Sequence, residues 1–86
     1  MITIGFTPEF FRRLRKLESQ LQEIAFKKIE LFRDRNNHRR LEVHKLHGKY
    51  AGFLGFSIDR KNRIMFEWVS NEEARIHTIG DHSIYE

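Results

Sequence analysis

The spacing of the apolar residues changes once along this chain, and that change limits what the chain can fold into. From Phe10 the spacing is helical: Phe10, Leu14, Leu17, Leu21, Ile24 and later Phe32 make one stripe, with Arg12, Arg13, Arg15, Lys16, Lys27 and Lys28 mostly off it. From Leu54 it alternates instead: Leu54, Phe56 and Ile58, then Ile64, Phe66 and Trp68, then Ala74, Ile76 and Thr78. Polar clusters at 59–62 and 70–73 separate these runs and read as turns, giving an antiparallel meander with one apolar face. Its other face would carry Phe53, Ser57, Arg63, Met65, Glu67, Arg75 and His77, a mixed polar surface.

Ahead of the helices, Ile2, Ile4 and Phe6 alternate with Thr3 and Gly5 as a short strand. Thr7-Pro8-Glu9 then supplies an N-cap, a proline at the first helical position and an acid in the first turn. One unbroken helix over residues 8–35 would be about 42 Å long at 1.5 Å per residue, too long for so small a domain. Ser19, followed three residues on by Gln22, has the spacing of a capping box, so the stripe should break there into a hairpin of two helices. The second helix should end near the polar cluster at 35–37. The expected fold is α+β and a single domain over 1–86: an N-terminal strand, a two-helix hairpin, then a three- to four-stranded antiparallel meander packed on the helices.

With eight Phe and 40% hydrophobic residues, a chain of this size can build one core without covalent staples. It contains no Cys, which removes disulfides, thiolate metal sites and cysteine nucleophiles. Its longest apolar runs are a few residues, so no membrane span is expected, and its first residues lack the basic start and apolar stretch of a signal peptide. The expected location is the cytoplasm. Charge is unevenly spread. Residues 33–49 hold Arg33, Arg35, Arg39, Arg40, Lys45 and Lys49 against Asp34 and Glu42, with three His among them, whereas after Arg63 only Arg75 stands against Glu67, Glu72, Glu73, Asp81 and Glu86. A cationic middle suits a polyanion, because neutralising phosphates and releasing counterions supplies most non-specific affinity. The same charges could equally form a solvated helix end and loop.

Three places could carry chemistry. Within residues 41–49, His44 and His47 stand three apart; no Cys or acidic cluster completes a metal site around them, and His44 could simply bond backbone at a strand start while Gly48 and Gly52 make turns. Arg63, beside Arg60 and Lys61, has a planar fork that suits phosphate oxygens, although it could instead pair with Glu67 or Asp59. The segment Ile79-Gly80-Asp81-His82-Ser83-Ile84-Tyr85 leaves an apolar strand, turns, and presents a histidine and an aromatic within one turn. These groups suit metal-independent RNA cleavage: a base takes the 2′-OH proton, an acid protonates the departing 5′ oxygen, cations stabilise the phosphorane, and an aromatic stacks on an unpaired base.

The runs His44-Lys45-Leu46-x-Gly48, Gly52-Phe53-x-x-Phe56-Ser57-Ile58, Arg63-Ile64-Met65-Phe66 and Ile79-Gly80-Asp81-His82-x-x-Tyr85 resemble the RelE/ParE toxin superfamily, nearest its YafQ-like branch. The resemblance covers nearly the whole chain, and its specific parts are the His-x-Leu-x-Gly element and the terminal Gly-x-His element. It implies a RelE-like fold and a toxin of a type II toxin–antitoxin module that cuts mRNA, commonly on the ribosome, and is held inactive by a cognate antitoxin. By position it implies catalytic roles for His82, His44, Tyr85 and Arg63. His82 would act as general acid or base, His44 as its counterpart or a substrate orienter, Arg63 with Lys45 or Lys49 as phosphate clamps, and Tyr85 as a stacking or proton-transfer partner. Lys45, Lys49, Arg60, Lys61, Arg39 and Arg40 would line the RNA path, with no metal or other cofactor. YafQ-like toxins tend to carry a further His on the first meander strand; Ser57 stands near that place here. The competing readings of the same fold are a ParE-like gyrase inhibitor and a non-catalytic protein that only binds its antitoxin.

Overall fold

The computed structural model describes residues 1–85, and for His82 and Tyr85 it describes the backbone but not the side chains. Strand β1 (Thr3–Phe6) runs into helix α1 (Pro8–Leu14) through Thr7, whose hydroxyl accepts from the Phe10 N–H at 3.2 Å. That cap, with Pro8 inside it, fixes the helix start the sequence predicts. Helix α2 (Ser19–Phe32) follows after a break at 15–18. The break falls where the stripe predicts, but the capping box does not form. Glu18, in extended backbone, is the N-cap, Ser19 is already helical, and the Gln22 amide donates back to the Leu17 carbonyl at 2.8 Å. The helix begins one residue early, so the Ser19 hydroxyl is past the point from which it could cap.

A 3-10 turn (Arg35–Asn37) ends the helical half, with the Asp34 carboxylate accepting from the Asn36 N–H. The rest is sheet: β2 (His44–Lys45), a 3-10 turn at Gly48–Tyr50, β3 (Leu54–Ser57), β4 (Asn62–Ser70) and β5 (Glu73–Asp81), then a C-terminal 3-10 turn (His82–Tyr85). The strands are ordered β1-β5-β4-β3-β2. The last four form the antiparallel meander, and β1 joins it parallel to β5, making the sheet mixed.

The helices cover one face of the sheet. Phe32 of α2 stacks on Phe56 of β3 with centroids 4.7 Å apart and meets Phe66 of β4 edge-on, so one helical aromatic ties the two layers together. Phe10, Leu14, Ala25 and Ile29 fill the helical side of this core, and Ile64, Ile76 and Ile79 fill the sheet side.

The simple alternation of β5 does not hold to its end. Met65 pairs with Thr78, but Phe66 pairs with Ile76, so His77 is an extra residue and the strand bulges there. The bulge reverses the alternation, and Ile79 reaches the main core in place of Thr78. Thr78 is buried opposite Met65, and its hydroxyl has no hydrogen-bond partner among the described residues. The Thr7 hydroxyl donates to the bulged His77 carbonyl at 2.7 Å, so the helix cap also braces the irregular strand.

The second face is less polar than the sequence suggests. Leu46, Met65 and Ile84 bury one another there, with Tyr50 and Phe53 packed alongside. The C-terminal turn therefore folds back over the sheet. Gly80 permits it: a Cβ at that position would lie 2.6 Å from Ile84 Cγ2.

Candidate active site

Residues directly opposite each other on neighbouring strands project to the same face, so the register assigns the candidate side chains to faces. His44 pairs with Gly55, which pairs with Met65, which pairs with Thr78. The next row on the same face is Ser57, Arg63 and Gly80. His44 and Arg63 thus share the face away from the helices, two strands and one row apart, with Cα atoms roughly 12 Å from each other by strand geometry. The C-terminal turn leaves β5 at Asp81, the register partner of Asn62 beside Arg63, and returns with Ile84 against Met65 and Leu46. The turn that includes His82 and Tyr85 is thus docked on this face through Ile84. The side chains of His82 and Tyr85, on which the acid and stacking roles rest, lie outside the described residues.

His44 is exposed at the sheet edge, and its Nδ1–H donates to the Glu42 carbonyl at 2.7 Å. The backbone-bonded histidine anticipated at a strand start is therefore what the fold contains. Glu42 has a left-handed backbone, φ 60°, in a closed turn: the Val43 N–H donates to the His38 carbonyl at 3.0 Å and the Glu42 N–H to the Arg39 carbonyl at 3.1 Å. That is the Schellman arrangement, whose left-handed position glycine usually fills. The Glu42 carboxylate in turn accepts from the Ser57 hydroxyl at 2.9 Å. Glu42, Ser57 and His44 are thus connected on the open face.

Arg63 is anchored through one nitrogen. Its Nη1 donates to the carbonyls of Asp59, Asn62 and Arg60 at 2.7, 3.1 and 3.2 Å, so it caps its own hairpin turn. Glu67 pairs instead with Arg75 at 3.1 Å, and His77 Nε2 lies 3.3 Å from the same carboxylate oxygen. Burial works against ionisation of Asp59 in the same turn, but the Asn62 and Lys61 N–H groups, the Asn62 amide and the Arg63 charge outweigh it and hold the carboxyl below its ordinary value.

The other cations occupy two edges. Arg39, Arg40, Lys45 and Lys49 are exposed around β2, and Arg60 and Lys61 are exposed in the β3–β4 turn. Lys45 pairs with Leu54, which packs into the main core, so Lys45 leaves the strand on the face opposite His44. Lys49 holds its ammonium 5.2 Å above the Tyr50 ring. His38 is structural, stacked on Phe32 at 4.5 Å and bonded to its carbonyl.

The sequence did not single out helix α1. Arg12, Arg13 and Lys16 line an open cleft of about 530 Å3 with Asn62, Gly80, Asp81 and Ser83, at the end of the sheet where the C-terminal turn begins. Arg12 also borders Met65 and His77 on the open face. Arg12 and Arg13 lie in the last turn of α1 and Lys16 in the turn after it, and the parallel placement of β1 beside β5 brings this end of the helix to the candidate site.

Comparison with known proteins adds the fold to this geometry. No family model matches the sequence, and no curated protein matches it. Among solved structures, YafQ from E. coli superposes with a TM-score of 0.71 at 11% identity, covering 98% of this chain and 97% of that one. The YoeB/ParE toxin from Agrobacterium tumefaciens gives 0.67 at 16% identity, over 94% and 99%. A chain of the YoeB–YefM complex from Staphylococcus aureus gives 0.72 at 14% identity, over 95% and 98%.

Proposed function

We propose that this chain, whose fold is that of the RelE/ParE toxins, is the toxin of a type II toxin–antitoxin module and a metal-independent endoribonuclease acting on mRNA. One observation carries the reading: His44, Arg63 and the turn bearing His82 and Tyr85 converge on the single sheet face that the helices leave uncovered.

The reaction follows from the chemistry of those groups. His44 takes the proton of a ribose 2′-OH, and the oxygen attacks the adjacent phosphorus. The P–O5′ bond breaks, His82 gives a proton to the departing 5′ oxygen, and the upstream strand is left with a 2′,3′-cyclic phosphate. Arg63, steadied at one nitrogen by its turn, directs its remaining donors at the non-bridging oxygens, where charge builds up. Tyr85 stacks on an unpaired base beside the cut. Arg39, Arg40, Lys49, Arg60 and Lys61 hold the flanking phosphates, whereas Lys45, on the opposite face, is not the clamp the sequence suggested, and the ribosome presents the strand.

The partner is a cognate antitoxin that neutralises this basic surface and adds to a sheet edge. A heterotetrameric YoeB–YefM toxin–antitoxin complex from S. aureus and the RelBE2 toxin–antitoxin complex from Mycobacterium tuberculosis each contain a chain of this fold. The working compartment is the cytoplasm; among the described residues no helix is long and apolar enough to cross a membrane.

A ParE-like or purely antitoxin-binding role has one observation in its favour, since Arg63 already serves the turn carbonyls. Primer extension on mRNA from cells expressing wild type beside His82→Ala separates the two. Discrete cuts in the wild type alone support the nuclease. Growth arrest without cuts, or DNA damage without loss of mRNA, refutes it.

A further inference from the structure

We infer that Glu42 is a positioning residue: its left-handed backbone presents a carbonyl that fixes the proton of His44 on Nδ1 and so makes Nε2 the proton-accepting nitrogen of the site. The inference rests on the nuclease reading for its catalytic consequence, but its structural half stands on the geometry.

A carbonyl oxygen has no proton to give, so the 2.7 Å contact between His44 Nδ1 and the Glu42 oxygen requires the hydrogen on Nδ1. In the neutral ring the lone pair then belongs to Nε2. Because the acceptor lies only two residues back, the Nδ1 side of the ring is clamped to its own backbone, and Nε2 is directed away from it. Such a second partner is what assigns distinct roles to the two ring nitrogens.

The carbonyl is where it is because of φ 60° at Glu42. In the ordinary right-handed or extended regions the peptide following Glu42 would be turned differently, and its oxygen would leave the histidine. Two bonds from β3 hold the turn in place: Ser57 N–H donates to the Leu41 carbonyl at 2.9 Å, and the Ser57 hydroxyl donates to the Glu42 carboxylate at 2.9 Å. His44 pairs with Gly55, two residues before Ser57, so the strand that pins the turn also carries the histidine. A left-handed position filled by a residue with a Cβ, at the foot of a histidine on the candidate face, points from an observed backbone outlier to a role.

The test reads the tautomer directly, on the full chain without RNA, by long-range proton–nitrogen correlation of the 15N-labelled His44 ring. The wild type should carry the proton on Nδ1. Glu42→Gly, which favours the left-handed backbone, should keep that pattern and retain more mRNA cleavage than Glu42→Val, even though it loses the carboxylate bond to Ser57. Glu42→Val, whose branched Cβ opposes it, should lose the Nδ1–H tautomer and lose cleavage on the order of 10²-fold. Glu42→Ala should fall between them, and it decides the matter if Glu42→Val does not fold. A wild-type His44 with its proton on Nε2 overturns the inference, as does a folded Glu42→Val or Glu42→Ala with an unchanged tautomer. Failure of the nuclease reading looks different: no cuts in RNA, with the tautomers as expected.

Discussion

At the scale of single residues, two side chains carry consequences that their neighbours in sequence do not announce. Glu42 sits where a Cβ is strained. Glu42→Ala and Glu42→Gly lose the same carboxylate and the same bond to Ser57, and differ in how well they tolerate φ 60°. Urea denaturation should therefore find the Ala variant about 1 kcal/mol less stable than the Gly variant; equal stabilities would show that the turn relaxes. Asp59 has a carboxyl pKa below its ordinary value of 3.8, so the folded chain holds that proton less tightly than the unfolded chain does. The stability it contributes is present above about pH 4 and is lost as pH falls through the lowered pKa. Asp59→Asn should flatten the acid limb of a stability–pH curve below pH 4 and leave its slope above pH 5 unchanged. The sequence showed Asp59 as a turn residue and a possible partner of Arg63, and Glu42 only as one acid among the cations of 33–49, because a glutamate gives no warning of a left-handed backbone.

Between elements, the order of strands and helices was legible because each follows one period of apolar residues. The exceptions are places where something non-periodic intervenes. The bulge at His77 exchanges Ile79 for Thr78 in the core, and no alternating pattern foretells one inserted residue. The lost capping box at Ser19 is a shift of one residue, within which a cap either reaches its N–H or does not. The C-terminal turn depends on a glycine chosen for contact and not for its dihedrals. Gly80→Ala would put a Cβ 2.6 Å from Ile84 Cγ2. Overpacking of that kind costs about 1–3 kcal/mol, here confined to the docking of the turn. Hydrogen exchange should show faster exchange at 82–84 with the core strands still protected, and cleavage should fall with it. Unchanged exchange there would mean that Ile84 does not hold the turn to the sheet.

On the scale of the whole molecule, the fold gathers charge that the sequence distributes. The basic middle was legible as a cluster of exposed charge. The contribution of α1 was not, because it depends on β1 lying parallel beside β5, a contact between the two ends of the chain. Arg12 and Lys16 should then take part in holding RNA phosphates. Replacing both with alanine should lower the slope of log affinity against log salt by roughly 1.4 for single-stranded RNA, without altering the fold; an unchanged slope would remove α1 from the interface. The roles proposed for His44 and Arg63 came from residue type and resemblance, whereas their common face could be established only from register. The central claim is that this face cuts RNA through the 2′-OH. It is tested most directly by the chemistry of the RNA ends left in cells expressing the protein. A 2′,3′-cyclic phosphate or 3′-phosphate upstream and a 5′-hydroxyl downstream, lost in His44→Ala, is the predicted result. A 3′-hydroxyl with a 5′-phosphate, or intact mRNA in arrested cells, would contradict it.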